Sequence, residues 1–229
     1  MYLCDAEGGI VDSGKPRAPR KTRVEKQERA LLTRQELISA ARHIFTRDGF
    51  EVARLQDIAS AAGKTRGAFY AHFQDKEDVF FAIFEEDILA DKQRYMSHLT
   101  QTSSHEDRVT MLIENMEAII NNRDRALLYI EFKMYAIHHP HKRKRLADLH
   151  QTMCTSGAGA AKLELLPELL SDDPDERRSL TAQIGSMLDG VILNRYFDPI
   201  GMNDAEVRRK VESCIRSVMS PENTWHRKA

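Results

Sequence analysis

The spacing of apolar residues constrains this chain most. Wherever a pattern is legible from Thr33 onward, it repeats every three or four positions, which is the period of a helix. Leu37, Ala41, Ile44 and Phe45 lie on one face of a helix expected to stop near Asp48-Gly49. Thr33 and Glu36 have capping-box spacing, so that helix is expected to begin there. Leu55, Ile58, Ala59 and Ala62 form a short second set that closes at Gly63, and a third set after Thr65 includes Phe69 and Phe73. Asp75 offers a cap for a longer helix through Val79, Phe80, Ile83 and Phe84.

Beyond residue 100 the same period continues. It runs through Leu112, Ile113, Met116, Ile119 and Ile120, then through Leu127, Leu128, Ile130, Met134 and Ile137. His139-Pro140 breaks that helix, and Pro140 can open another. Gly157, Gly159 and Pro167 loosen the chain before Asp172 to Asp175 signals a new start. Leu180, Ile184, Met187, Leu188, Val191 and Ile192 make a wide stripe, and Val207, Val211, Cys214, Ile215 and Val218 make the last one. There is no alternating strand pattern and no repeat, so the expected fold class is all-α.

Composition narrows the function. The 41% hydrophobic and 30% charged residues suit a soluble globular chain, and no run approaches the roughly 20 apolar residues of a bilayer span. Three widely spaced cysteines, Cys4, Cys154 and Cys214, fit a reducing cytoplasm and exclude a disulfide framework or a CxxC zinc site. Without a signal-peptide pattern at the start, export is not expected, and the protein is placed in the cytoplasm. The net charge of −1 is uneven: Lys15 to Arg34 carries a local +6, leaving −7 for the remainder. A basic end on an acidic body points to a polyanion met at that end.

Residues 54–73 carry the chemistry. Two short helices joined by a turn at Gly63 make a helix-turn-helix, whose second helix can lie in the major groove of DNA. Ala59, Ala62 and Gly63 are small where the helices must touch. Thr65 can cap the second helix and leave amides facing a phosphate. Arg66 suits a base edge or a phosphate, and Tyr70, His72 and Lys76 suit phosphates.

The run Asp57-Ile58-Ala59, Ala62-Gly63, Thr65 to Tyr70, His72-Phe73 and Asp75-Lys76-Glu77 resembles the TetR family of bacterial transcriptional regulators, as does Phe45 with Gly49-Phe50 ahead of it. The resemblance covers about residues 31–91. It implies DNA contacts from Arg54, Gln56, Thr65, Arg66, Gly67, Tyr70, His72 and Lys76, with Gly67 small so that the helix approaches DNA closely. Three departures stand out: Arg54 replaces a capping Ser or Thr, Lys64 replaces a turn Val, and Ala53 replaces a Thr. Lys64 is expected to trade core packing for positive charge near DNA.

The organisation expected is a flexible basic arm over residues 1–30, the DNA-binding domain over 31–91 and a ligand-binding and dimerisation domain over 92–229. The arm has two readings. It is a solvated tail, or an extended segment whose Arg17, Arg20, Lys21 and Arg23 enter a narrow minor groove. Met116, Tyr129, Met134, Tyr135, His150, Met153, Met187 and Asp189 are candidates for an effector pocket, since flexible Met side chains accept varied apolar ligands. The resemblance implies a dimer through helices at about 174–197 and 203–219, with Leu180, Ile184, Leu188, Val191, Val207, Val211 and Ile215 at the seam.

Other motifs are weaker. His138-His139-Pro140-His141 has no nearby Cys or carboxylate at ligand spacing, so no metal is expected. Gly157 and Gly159 lack the strand and third Gly of a phosphate loop. No catalytic motif is present, so neither a catalytic residue nor a cofactor is assigned. The expected function is a homodimeric, ligand-responsive repressor that binds double-stranded palindromic DNA and no membrane. The alternative is a TetR-like protein that acts through a protein partner.

Overall fold

A computed structural model describes residues 22–100, 103–155, 166, 169 and 173–220. The elements among these residues are helices α1 (Arg23–Asp48), α2 (Leu55–Ala61), α3 (Arg66–Tyr70), α4 (Lys76–His98), α5 (His105–Asn121), α6 (Arg123–His138), α7 (Pro140–Thr155), α8 (Pro174–Phe197) and α9 (Asp204–Val218). Among the described residues, those from Glu36 onward belong to one compact unit and residues 22–35 to another.

Most helix ends follow the expected local chemistry. Gly49, at φ +86°, and Gly63, at φ +64°, turn the chain after α1 and α2 in the left-handed region that favours glycine. The Thr65 hydroxyl accepts from the Ala68 amide at 3.1 Å, and the Asp75 carboxylate accepts from the Asp78 amide at 2.8 Å. Arg54 stands at the start of α2 with no side-chain cap. Pro140 opens α7 directly after α6 ends.

The beginning of α1 differs from expectation. Thr33 and Glu36 lie inside this helix, and Arg23, expected in the arm, is its first residue. The capping pair is Thr22 and Glu25: the Thr22 amide donates to Glu25 Oε2 at 2.8 Å, and the Glu25 amide donates to Thr22 Oγ1 at 3.3 Å. Residues 23–32 are all exposed, so no apolar period announces them. Their Lys, Arg, Glu, Gln, Ala and Leu residues are strong helix formers in their own right. Arg17, Arg20, Lys21, Cys4, Gly157, Gly159 and Pro167 lie outside the described residues.

Two cores lie within the second unit. The first gathers Leu37, Phe45, Ile58, Phe69, Val79 and Phe80 from α1–α4, together with Phe132 of α6 and Leu146 of α7. Phe50 is fully buried at its centre, with the rings of Phe45, Phe80, Phe132 and Tyr135 at 4.9–5.7 Å. The second core is mainly aliphatic and joins α5, α8 and α9 through Leu112, Ile120, Ile192, Val211 and Ile215.

Candidate nucleic-acid interface and effector cavity

The helix-turn-helix buries Ile58, Ala59 and Phe69 and leaves Arg54, Gln56, Thr65, Arg66, Gly67 and Tyr70 exposed. Arg66 donates to the Tyr70 hydroxyl at 3.1 Å and lies 5.5 Å from its ring centroid, so the two form one outward-facing unit. His72 is half-buried. Gly67 is informative because the fold itself does not require it. A Cβ there would meet only Thr65 Oγ1, at 3.8 Å, an ordinary contact. Glycine inside a helix costs about 0.5–1 kcal/mol relative to Ala. That cost leaves open space outside the protein surface.

Two charges expected at this face are used internally. Lys76 donates to the carbonyls of Phe50 and Glu51 at 2.9 and 2.7 Å, and its ammonium sits 4.9 Å from the Phe50 and Tyr135 rings. Burial lowers its pKa. Lys76 therefore closes the turn after α1 in this structure. Lys64 pairs with Glu36 at 2.6 Å, which cancels the positive charge expected near DNA.

The same turn is tied to the helices behind it. The Phe50 amide donates to Glu131 Oε2 of α6 at 2.7 Å. Glu77, at the start of α4 and 1% exposed, accepts from the Tyr135 hydroxyl and from Lys142 Nζ at 2.5 Å. Burial alone would raise the Glu77 pKa, but the Lys142 and Tyr135 donors outweigh it and hold the carboxylate at about 2. Farther along α4, Asp91 is gripped by Arg125 of α6 at 3.1 and 2.8 Å, while Asp87 receives Arg42 of α1 at 2.9 and 3.3 Å. Thus α4 is fastened near its start by an ion pair to α7 and a hydrogen bond from α6, and near its middle by ion pairs to α1 and α6.

A cavity of about 170 Å³ opens between α4–α8, lined by Ile88, Leu112, Met116, Tyr129, His150 and Leu188. Asp91 and Arg125 also reach its wall. The Tyr129 hydroxyl is hydrogen-bonded to His150 Nε2, and burial lowers the His150 pKa, which keeps the ring neutral at pH 7. Of the candidate pocket residues, Met116, Tyr129 and His150 line this cavity. Asp189 lines a second, outer cavity and pairs with Lys133 at 2.6 Å.

The other candidates are placed elsewhere. Met134 is 45% exposed, because its position on α6 faces away from the core. Tyr135 is committed to Glu77 and Lys142 in the first core. Met153 packs on the first core and Met187 on the second, outside the walls of these two cavities. Periodicity identified these residues as apolar but could not say which gap each helix face would meet. Asp91, Arg125, Thr181 and Gly185 line the inner cavity without having been singled out in the sequence. Their only available signal was polar or small residue types within amphipathic helices.

Five of the seven expected dimer residues pack within the single chain. Leu180, Val191, Val207, Val211 and Ile215 are buried within the single chain, in the core shared by α5, α8 and α9. Ile184 and Leu188 are half-buried and line the inner cavity. Side chains already buried inside one chain have no surface left to bury against another. The exposed apolar residues of this region are Leu193 (52%), Phe197 (87%) and Ile200 (87%). His139, from the histidine run, stacks 4.2 Å from the Tyr135 ring and hydrogen-bonds the Tyr135 carbonyl at 2.8 Å as α6 ends.

Residues 37–83 match the family model described as "Bacterial regulatory proteins, tetR family". The HTH-type transcriptional regulator AcrR of Shigella flexneri is 47% identical over 66 residues, which is 29% of each chain. The HTH-type transcriptional regulator TtgR of Pseudomonas putida is 39% identical over 93 residues, 41% of this chain and 40% of that one. The chain thus matches well under half the length of these curated relatives, which are named as regulators and not as enzymes. A structure described as a putative TetR-family transcriptional regulator from Rhodococcus sp. shares the fold, with TM-score 0.58, 19% identity and coverage of 82% and 98%. Over residues 37–83, its helix-turn-helix region, this chain is similar to the tetR family of bacterial regulatory proteins.

Proposed function

We propose that this protein is a cytoplasmic, homodimeric transcriptional repressor that binds an inverted-repeat operator and is released by a small, largely apolar effector. One observation carries the DNA-binding part: α2 and α3 expose Arg54, Gln56, Thr65, Arg66 and Tyr70 around a glycine that the fold does not need. Such a face suits a helix set into the major groove, with hydroxyl and guanidinium groups on phosphates and Arg66 at a base edge. A two-fold dimer presents two such helices, which matches an inverted repeat. The exposed Leu193, Phe197 and Ile200 are the apolar surface available for that seam.

The effector acts through α4. A ligand against Ile88 and beside Asp91 touches the helix that continues at its other end into the Glu77 junction and the DNA-binding head. It shifts the population of head orientations only as far as its affinity differs between them. Selection of bound DNA from a random pool with the purified full chain tests the reading. An enriched inverted repeat, weakened about five- to 150-fold by Arg66→Ala, is expected; enrichment of no sequence would overturn it.

A further inference from the structure

Behind α6 and α7 lies a second cavity, of about 500 Å³, which shares Tyr129, His150, Thr181 and Gly185 with the inner one. Its character is different. Lys133, Arg143, Lys144 and Arg178 line it against only Asp148 and Asp189, so cations outnumber anions four to two. Lys133 is held by Asp189 at 2.6 Å, and Lys144 and Arg178 both reach Asp148, at 2.6 and 3.2 Å. Arg143 is in no ion pair among the described residues. The inner cavity, by contrast, is walled mainly by Leu, Ile, Met and Phe side chains.

The waist between the two is built from small or neutral groups. Gly185 sits mid-helix in α8, and a Cβ there would meet nothing within 4 Å. No turn and no positive φ requires glycine at this position, and its place inside a helix costs stability. What the missing side chain leaves is open space on a wall that both cavities share. Lys133 lies 4.9 Å from the Tyr129 ring centroid, so a cation stands just beyond the waist on the outer side.

We propose that the two cavities form one site for an amphiphilic anion, with its apolar chain in the inner cavity, its waist beside Gly185 and its carboxylate or phosphate head among Arg143, Lys144 and Lys133. Together the cavities fall within the roughly 300–1,000 Å³ of ordinary small-molecule sites. The apolar chain buries its surface against Leu112, Met116 and Leu188, and the head finds an excess of positive charge that a neutral head cannot use. This site names the chemical class of the effector proposed above and rests on that reading only for its link to DNA.

The test is direct binding to the full chain, by calorimetry, with decanoate, decyl phosphate, decanol and decylamine as probes. Decanoate or decyl phosphate is expected to bind at least tenfold more tightly than decanol, and decylamine most weakly. The tighter anion distinguishes a carboxylate from a phosphate head. Arg143→Gln with Lys144→Gln should remove most of the anion preference while leaving decanol affinity unchanged. Gly185→Phe should abolish binding of all four probes, whereas Gly185→Ala should keep the fold and bind decanol. Equal affinity for decanoate and decanol, or unchanged binding by Gly185→Phe, overturns the proposal. Because no DNA is present, loss of operator binding would sink the repressor reading without touching this result.

Discussion

The two cores are built from different materials. The one beneath the DNA-binding head is aromatic and ionically tied: Phe50 is enclosed by four rings, Phe80 stacks on Phe132 at 3.7 Å, and Glu77, Lys142, Lys76 and Glu131 fasten its edges. The one around α5, α8 and α9 is aliphatic and adjoins a cavity. Interlocked rings with charged bonds at their margin admit few alternative arrangements, whereas an incompletely filled aliphatic wall repacks at small cost. The contrast suits the proposed effector response, in which the aliphatic wall repacks while the aromatic core, with its α6 and α7 residues, keeps its arrangement.

The strongest challenge to that contrast is Phe50→Ala. Removing a fully buried ring from the aromatic centre should cost about 3–5 kcal/mol, and denaturant melts would register it. Met116→Ala, 4% exposed but beside the cavity, should cost clearly less. Equal losses would erase the distinction.

Next in size is the response of the ionic margin to acid. The Glu77 carboxylate is held at about 2, below its ordinary value near 4.5. Its contribution is therefore fully present above about pH 4.5 and fades as pH falls toward 2. Glu77→Gln should flatten the stability profile in that window, as read from melting temperature against pH. A variant that stays as acid-sensitive there as the parent would remove Glu77 from the account.

The exposed face of α3 gives smaller effects of another kind. Arg66→Ala should cost about 1–3 kcal/mol in operator binding and relax sequence choice, while leaving stability nearly unchanged. Smallest is Gly67→Ala. It should raise fold stability by about 0.4–1 kcal/mol and weaken DNA binding in gel shifts, because the added methyl meets open space in the free protein and crowds the groove in the complex. A gain in both properties would show that the glycine serves no close approach.

Much of this was readable without coordinates. The all-α class and the caps at Thr65, Asp75 and Pro140 follow from local rules, because a hydroxyl or carboxylate beside the first amides of a helix acts over three residues. The exposed set from Arg54 to Tyr70 was legible for a similar reason: a short amphipathic helix has only one face left after its apolar residues are buried. The start of α1 is not legible from periodicity, because Thr22 and Glu25 begin a helix of exposed residues, where propensity acts alone.

Long-range placement was a different matter. Lys76 has the residue type of a phosphate contact, yet the carbonyls of Phe50 and Glu51, 26 and 25 positions earlier, capture its ammonium. Val207, Val211 and Ile215 mark a strongly apolar stripe, and nothing in that stripe says whether its partner is α5 of the same chain or a second copy. The amino-acid order determined the helices, their caps and the outward side chains of α3, since those depend on neighbours within a turn or two. Tertiary structure alone decided which apolar face met which, where the packing stayed incomplete and which cations were consumed internally. Those outcomes depend on shape and charge brought together from distant parts of the chain.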